Sequence, residues 1–253
     1  MKLNQFLTLG FVILLVGIYS DAAADEYLFV TFEYPPLEFE GDQGLAQGIA
    51  VEIVRDVMHN LSYGVQIQVF PWTRALDMVR FGRADAIFTA YKNPAREQFL
   101  NYTKEVLFQQ EIYFYRKKGS LVDFNGNLAS VQDKIVGVVS TISYGRMFDS
   151  TKPDLDLDKA NRLEHSFQKL VMGRIDLVPS DIYVAEHTIQ TMGLAGKIER
   201  LPRMIESVPS YIAFSKQRNL THLRDQFNRQ LSKMKANGAY AGILKRHGIR
   251  FDE

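Results

Sequence analysis

From residue 48 to 61 apolar side chains recur at every fourth position, Ile49, Ile53, Val57 and Leu61, with Ala50, Val54 and Met58 beside them. That spacing predicts a helix with one buried face. Upstream, residues 27–31 form a short β-branched and aromatic run, and Tyr34-Pro-Pro-Leu37 ends it by removing two backbone donors. A strand followed by a rigid loop is expected there. Residues 65–70 alternate apolar with polar, as a half-buried strand does, residues 73–81 read as a helix closed by Gly82, and residues 86–90 supply a further strand. The resulting β-α-β-α-β order argues for a mostly parallel sheet wrapped by helices, with ligands expected at the carboxyl ends of the strands.

A second unit begins after Tyr113-Phe-Tyr-Arg-Lys-Lys-Gly119 and repeats the pattern more briefly. Strands are predicted at 135–139 and 175–178, and helices at 166–172 and 182–191. Residues 211–215 are extended again, Leu220, Leu223, Phe227, Leu231 and Met234 mark a strong amphipathic helix that ends at Gly238, and a last helix covers 240–247. No Gly/Ser-rich or low-complexity linker separates the units, so the joins near 113–118 and 208–215 are expected to be strands that cross between two lobes and form a hinge. The C-terminal helices would then return to the first lobe. That divides the chain into lobe 1 at 25–115 plus 212–253, with lobe 2 at 116–211 inserted.

The N-terminus changes the compartment. Lys2 precedes an apolar run at 6–19 that ends near Ala22-Ala23-Ala24, with Asp21, Asp25 and Glu26 around it. The run is shorter than the ~20 residues a membrane-spanning helix needs, and 1–24 reads as an export signal cleaved after Ala24. A periplasmic location follows, with an uncleaved anchor as the alternative. The sequence has no cysteine, so stability outside the cytoplasm must come from core burial, without crosslinks or thiolate metal sites. A net charge of +1, with basic residues scattered and not interleaved with aromatics, gives no footprint for nucleic acid.

The stretches "FEYPPLEFEGDQGLAQGIAVEIVRDV", "GRADAIFTAYKNPAREQFLNYT", "IVGVVSTISYG", "GRIDLVPSDIYVAEH" and "LRDQFNRQLSKMKANGAYAGILKRHG" occur in order along the chain. Together they resemble the periplasmic substrate-binding proteins of polar amino-acid ABC transporters, family 3. The resemblance implies an α/β, two-lobed periplasmic-binding-protein fold (type II, Venus-flytrap), with two mostly parallel sheets joined by two hinge strands. It also implies a monomer that binds an amino-acid-like solute without a cofactor and delivers it to an inner-membrane ABC permease.

Roles for single residues follow from the same resemblance. Arg96 would grip the ligand's carboxylate with its planar fork. Asp181, at a strand-to-helix turn, would meet the ammonium group, or cap the helix behind it, or both. Thr141 and Ser143 lie where a strand meets a helix start, a place suited to an anion, although Ile142 departs from the family's pattern of hydroxyl residues. Thr89 and Ala90 end the strand before Arg96 and would offer small or backbone groups. Tyr34 would stack on the ligand, and Trp72, the only tryptophan, would either line the pocket or pack in the core. Lys92 and Arg74 are expected at the surface unless they turn inward.

Enzymatic readings find little support. The acidic residues Glu33, Glu38, Glu40 and Asp42 bracket a glycine-containing turn and are expected to be solvated. The five histidines lack metal-ligand spacing, and no nucleophile elbow or phosphate-cradling loop is present. Two alternatives to transport stay open, a stand-alone periplasmic sensor and a lyase-type enzyme on the same fold.

Overall fold

In the computed structural model, which describes residues 26–140 and 142–249, the chain alternates strand and helix as its periodicity predicts. The first half contains β1 (Glu26–Thr31), β2 (Phe39–Glu40), β3 (Ala46–Gln47), α1 (Ile49–Asn60), β4 (Gly64–Val69), α2 (Trp72–Arg80), β5 (Ala86–Tyr91), α3 (Pro94–Glu97) and β6 (Leu100–Tyr102). The long strand β7 (Phe108–Lys117) leads into β8 (Ile135–Val139), α4 (Arg146–Thr151), β9 (Asp156–Ala160), α5 (Leu163–Val171), β10 (Val178–Asp181) and α6 (Ile182–Thr191). A second long strand, β11 (Ile198–Ser215), returns to α7 (Thr221–Ala236) and α8 (Ala239–Arg246). The expected export segment at 1–24 and the candidate residue Thr141 lie outside the described residues.

Among the described residues a seven-stranded sheet runs in the order β10-β7-β11-β5-β1-β4, with β6 pairing to β11. β1 pairs parallel with β4 and β5, and β8 with β9, while β2 with β3 and β10 with β7 are antiparallel. The two strands that link the halves pair antiparallel because one leaves as the other returns. The result is a two-lobed α/β fold in which the crossing strands make the central ladder mixed.

Alternation along the strands sorts the cores. Phe29, Phe88 and Phe214 face one side of the first half, against Ile53 of α1 and Phe227, Leu231 and Ile243 of α7 and α8. Their neighbours Val30, Ile87 and Ala213 face the other side, against Ala75 and Val79 of α2. This is the two-residue period of a sheet covered on both faces. Each fully buried phenylalanine contributes about 1.5–3 kcal/mol by leaving water. The second half is built alike, with Ile112, Phe114, Val138 and Phe148 on one side and Tyr115, Phe167, Leu170 and Val178 on the other.

The crossing strands change core part-way. On β7, Phe108 belongs to the first half and Ile112 to the second, and on β11, Val208 belongs to the second half and Ile212 to the first. Polar Gln110 and Ser210 are buried between them. β11 is much longer than the extended stretch expected at 211–215, and β10 starts three residues later than the predicted 175–178, with Leu177 before it only bridged to Val136.

Gly48 sets the entry of α1. Its φ is +119°, and a Cβ there would lie 2.4 Å from the Leu37 carbonyl oxygen. Only glycine fits this approach. It lets the amides of Ile49 and Ala50 donate to the carbonyls of Pro36 and Leu37, which fixes the loop after β1 against the helix start.

Candidate functional site

A cavity opens where the carboxyl ends of β1, β4, β5 and β8 converge. It is lined from the first half by Phe32, Tyr34, Trp72, Thr89, Tyr91 and Arg96, from the crossing strand by Gln110, and from the second half by Ile142 and Ser143. Its volume is ≈ 30 Å³, room for roughly one or two waters. Ile142 packs against the cores of both halves, so the cleft is nearly shut.

Arg96 enters from the short helix α3, whose cap Asn93 accepts the Arg96 amide at 2.9 Å. One guanidinium nitrogen, Nη1, donates to the Tyr91 carbonyl at 2.9 Å, and the group's carbon stands 4.7 Å from the Trp72 ring centroid. Burial pulls its pKa down from the usual arginine range, and the facing phenol of Tyr102 opposes that; arginine remains a cation even so. Tyr102 donates to the same Tyr91 carbonyl at 3.0 Å, giving that oxygen a second partner.

The aromatic wall is continuous. Phe32 and Tyr34 stack at 5.3 Å, Phe32 meets Trp72 edge-on at 4.9 Å, and the Tyr91 hydroxyl donates to Gln110 at 2.5 Å. Thr89 carries a φ of +52° inside β5, where β11 shifts register between Tyr211 and Ala213. A β-branched residue rarely occupies that region, and backbone strain of this kind gathers at ligand sites.

Beneath Thr89 lies Glu38, fully buried and hydrogen-bonded to the threonine hydroxyl. The sequence reading placed it with Glu33, Glu40 and Asp42 in a solvated loop. The structure corrects this for Glu38: the turn in which Tyr34 and Glu38 exchange backbone bonds folds its side chain inward. Burial raises its pKa well above the usual glutamate value, with Thr89 pulling the other way. Glu33 and Glu40 are exposed, as expected.

Of the candidate residues, Tyr34, Trp72, Thr89, Arg96 and Ser143 meet at this one cavity. The Ser143 hydroxyl is already given to Asp149, which Lys152 also holds at 2.7 Å. Ala90 differs from expectation: Thr89 at φ +52° breaks the two-residue period of β5, so the Ala90 methyl lies with Ile87 in the core beside Val30 and Ala75, and its side chain is not part of the cavity wall. Lys92 pairs with Glu97 at 3.2 Å in solvent, and Arg74 lies 4.5 Å over the Phe70 ring, so neither reaches the cavity wall.

Asp181 is fully buried and caps α6. It accepts from the amides of Tyr183 at 3.0 Å, Val184 at 3.2 Å and Glu111 at 3.1 Å. Burial pushes its pKa up to about 7 despite those three donors. It is not part of the cavity wall; burial first, and Asp181 among the acids and phenols nearby, raises the phenols of Tyr34 and Tyr91. The bonds it makes to Tyr183 and Val184 are those of a helix cap. Phe32, Tyr91, Gln110 and Ile142 were not singled out as ligand contacts from sequence, because nothing in their local pattern separates a cleft wall from a core.

Among the described residues no helix is long and apolar enough to cross a membrane, and no cluster of three or more His, Asp or Glu could hold a metal ion. The profile of the bacterial extracellular solute-binding proteins, family 3, matches residues 28–249. The chain is similar to an arginine-binding periplasmic protein of Mannheimia haemolytica, 23% identical over 236 residues that cover 91% of this chain and 94% of that protein. Solved structures with the same fold include an ancestral arginine-binding protein bound to arginine, with 21% identity, a TM-score of 0.74, and 88% and 98% of the two chains covered. A histidine kinase sensor domain similar to periplasmic binding proteins matches with 16% identity, a TM-score of 0.76, and 88% and 96% covered.

Proposed function

We propose that this chain, which belongs to the bacterial extracellular solute-binding proteins of family 3, binds a small zwitterionic solute, an amino acid or a close relative, and delivers it to an ABC permease in the inner membrane. The observation that carries this reading is the convergence of Arg96, Trp72 and Tyr34 from one half with Ser143 and Ile142 from the other on a single cavity. Arg96 takes the ligand's carboxylate with the donors not given to Tyr91. Asp181 takes the ammonium group with lone pairs its three amide donors leave free, since a carboxylate offers about four sites. Thr89 and Ser143 orient the head group, and Tyr34 and Trp72 cover its apolar part.

The hinge runs through Gln110 and Ser210, where β7 and β11 change core. We divide the lobes there in place of the boundaries at 115 and 211, with α7 and α8 on lobe 1. Contacts from both lobes exist together only in the shut form, so a ligand shifts the open–closed balance by its differential affinity. The shut monomer is what a permease recognises. Export to the periplasm through cleavage of 1–24 belongs to the same reading.

In this reading the solute is bound and released unchanged, and incubating it with the protein and looking for product by mass spectrometry checks that. A thermal-shift screen of amino acids, small peptides and organic acids tests the reading. A ligand at 100 times its dissociation constant stabilises the fold by ~2.7 kcal/mol, and the expected hits are α-amino acids, with arginine included in the panel. Hits confined to compounds without an α-amino acid head overturn it.

A further inference from the structure

The head cavity does not end the cleft. Tyr34, Trp72 and Ile142 are shared with an adjoining chamber of ≈ 390 Å³, whose further walls include Pro71, Leu163 and Val184. A ligand held by its head at Arg96 therefore projects its side chain into this chamber.

The chamber is poorly suited to a positive charge. One face of Trp72 is covered by the protein's own Arg96 guanidinium at 4.7 Å, and Phe32 and Tyr34 cover one face of each other, which leaves fewer aromatic faces for a cation. Arg96 holds a fixed positive charge in the adjoining cavity. Two carboxylates line the chamber, Glu33 and Glu164, and both stay in contact with solvent. Glu164 is held by Arg162 at 2.9 Å, and Glu33 is solvent-exposed and accepts the Glu40 amide at 3.2 Å. Glu38 is sealed beneath Thr89 and Asp181 beneath its amides, and neither faces the chamber.

We infer that the chamber is a side-chain subsite for uncharged, largely apolar groups, and that the site rejects cationic amino acids. This rests on the amino-acid reading of the cleft. Mostly apolar walls discriminate between such groups by filling, and an ammonium or guanidinium set against Tyr34, Trp72, Ile142, Leu163 and Val184 gives up hydration that these walls do not replace, which is the stronger rejection.

Isothermal titration of the full exported chain with leucine, phenylalanine, arginine and lysine tests it. The expected result is that leucine or phenylalanine binds at least tenfold more tightly than arginine or lysine. Arginine or lysine binding as tightly as the neutral pair, or more so, overturns the inference and leaves the amino-acid reading standing; no binding by any of the four, together with no α-amino acid among the thermal-shift hits, overturns both. A variant locates the subsite. Leu163 is half-buried at the first turn of α5, where an acid is tolerated. Leu163→Glu should weaken leucine binding at least tenfold and narrow the gap to lysine, with a melting curve as the folding control. A folded Leu163→Glu protein with unchanged preferences overturns the placement.

Discussion

Replacing Arg96 with methionine removes a buried charge and the donors it turns to the cavity, while an unbranched chain still covers Trp72. Truncating one partner of a buried hydrogen-bonded charge pair costs about 2–5 kcal/mol of binding. Taking ~3 kcal/mol, with each 1.4 kcal/mol a factor of ten, affinity should fall by about a hundredfold. The fold should lose little, because the Tyr91 carbonyl that Arg96 serves keeps the Tyr102 hydroxyl at 3.0 Å and is not left unpaired. A stability change under ~1 kcal/mol is expected for one partly replaced hydrogen bond. Arg96→Lys keeps the charge but loses the planar fork, so its loss should be intermediate. Titration calorimetry on the three proteins with one ligand, alongside melting curves, separates binding from folding. A methionine variant that binds within threefold of the parent, with an unchanged melting curve, refutes the role given to Arg96.

Further predictions concern the buried acids and one glycine. Asp181 titrates near 7 when folded, against a usual 3.8, so the folded state holds the extra proton between those values and stability falls as pH rises through that window. Asp181→Asn should flatten the profile, seen in denaturant melts from pH 4 to 8. The ligand's ammonium group favours the ionised carboxyl, so wild-type affinity should drop as pH falls below about 7, by at most about tenfold per unit, and calorimetry in two buffers should register proton release. Glu38, raised in the same direction by burial, costs stability as pH climbs above its unfolded value; Glu38→Gln should gain on the parent progressively from pH 5 to 8 in the same melts. Gly48→Ala meets the Leu37 carbonyl at 2.4 Å with φ at +119°, and should destabilise the fold by ~1–3 kcal/mol in thermal melts while loosening the loop that carries Tyr34.

Much of the first half was legible because its elements obey one period each. The fourfold repeat from Ile49 to Leu61 gave α1 almost to the residue, the alternation at 65–70 gave β4, and the short run at 86–90 gave β5. β11 was read short because Glu199, Arg200, Pro202, Arg203, Glu206 and Pro209 present neither a hydrophobic alternation nor an unbroken row of donors. Its strand form comes from pairing with β7, a long-range contact that local pattern does not encode. β9, with Asp156, Asp158 and Lys159, is extended for the same reason, through β8.

The candidate site divides along similar lines. Residues with distinctive chemistry at strand ends, Arg96, Trp72 and Tyr34, stood out, whereas Gln110 and Ile142 take their place in the cavity only through the crossing of the two halves. The side that Ala90 takes was not legible, because the positive φ of Thr89 breaks the strand's two-residue period and sets Ala90 beside Ile87 and not beside Phe88. Glu38 was misjudged because an acid beside a glycine turn is ordinarily solvated, and only the fold of the loop against α1 shows it buried.

The central claim is that one zwitterion is held between Arg96 and Asp181 in the shut cleft. A crystal structure of the complex with the tightest amino acid from the screen tests it most directly. The ligand's carboxylate should lie within hydrogen-bond distance of the Arg96 guanidinium, its ammonium group within reach of Asp181, and its side chain in the chamber beside Leu163. Ligand density elsewhere, with Arg96 still turned onto Trp72 and the cleft empty, would contradict it.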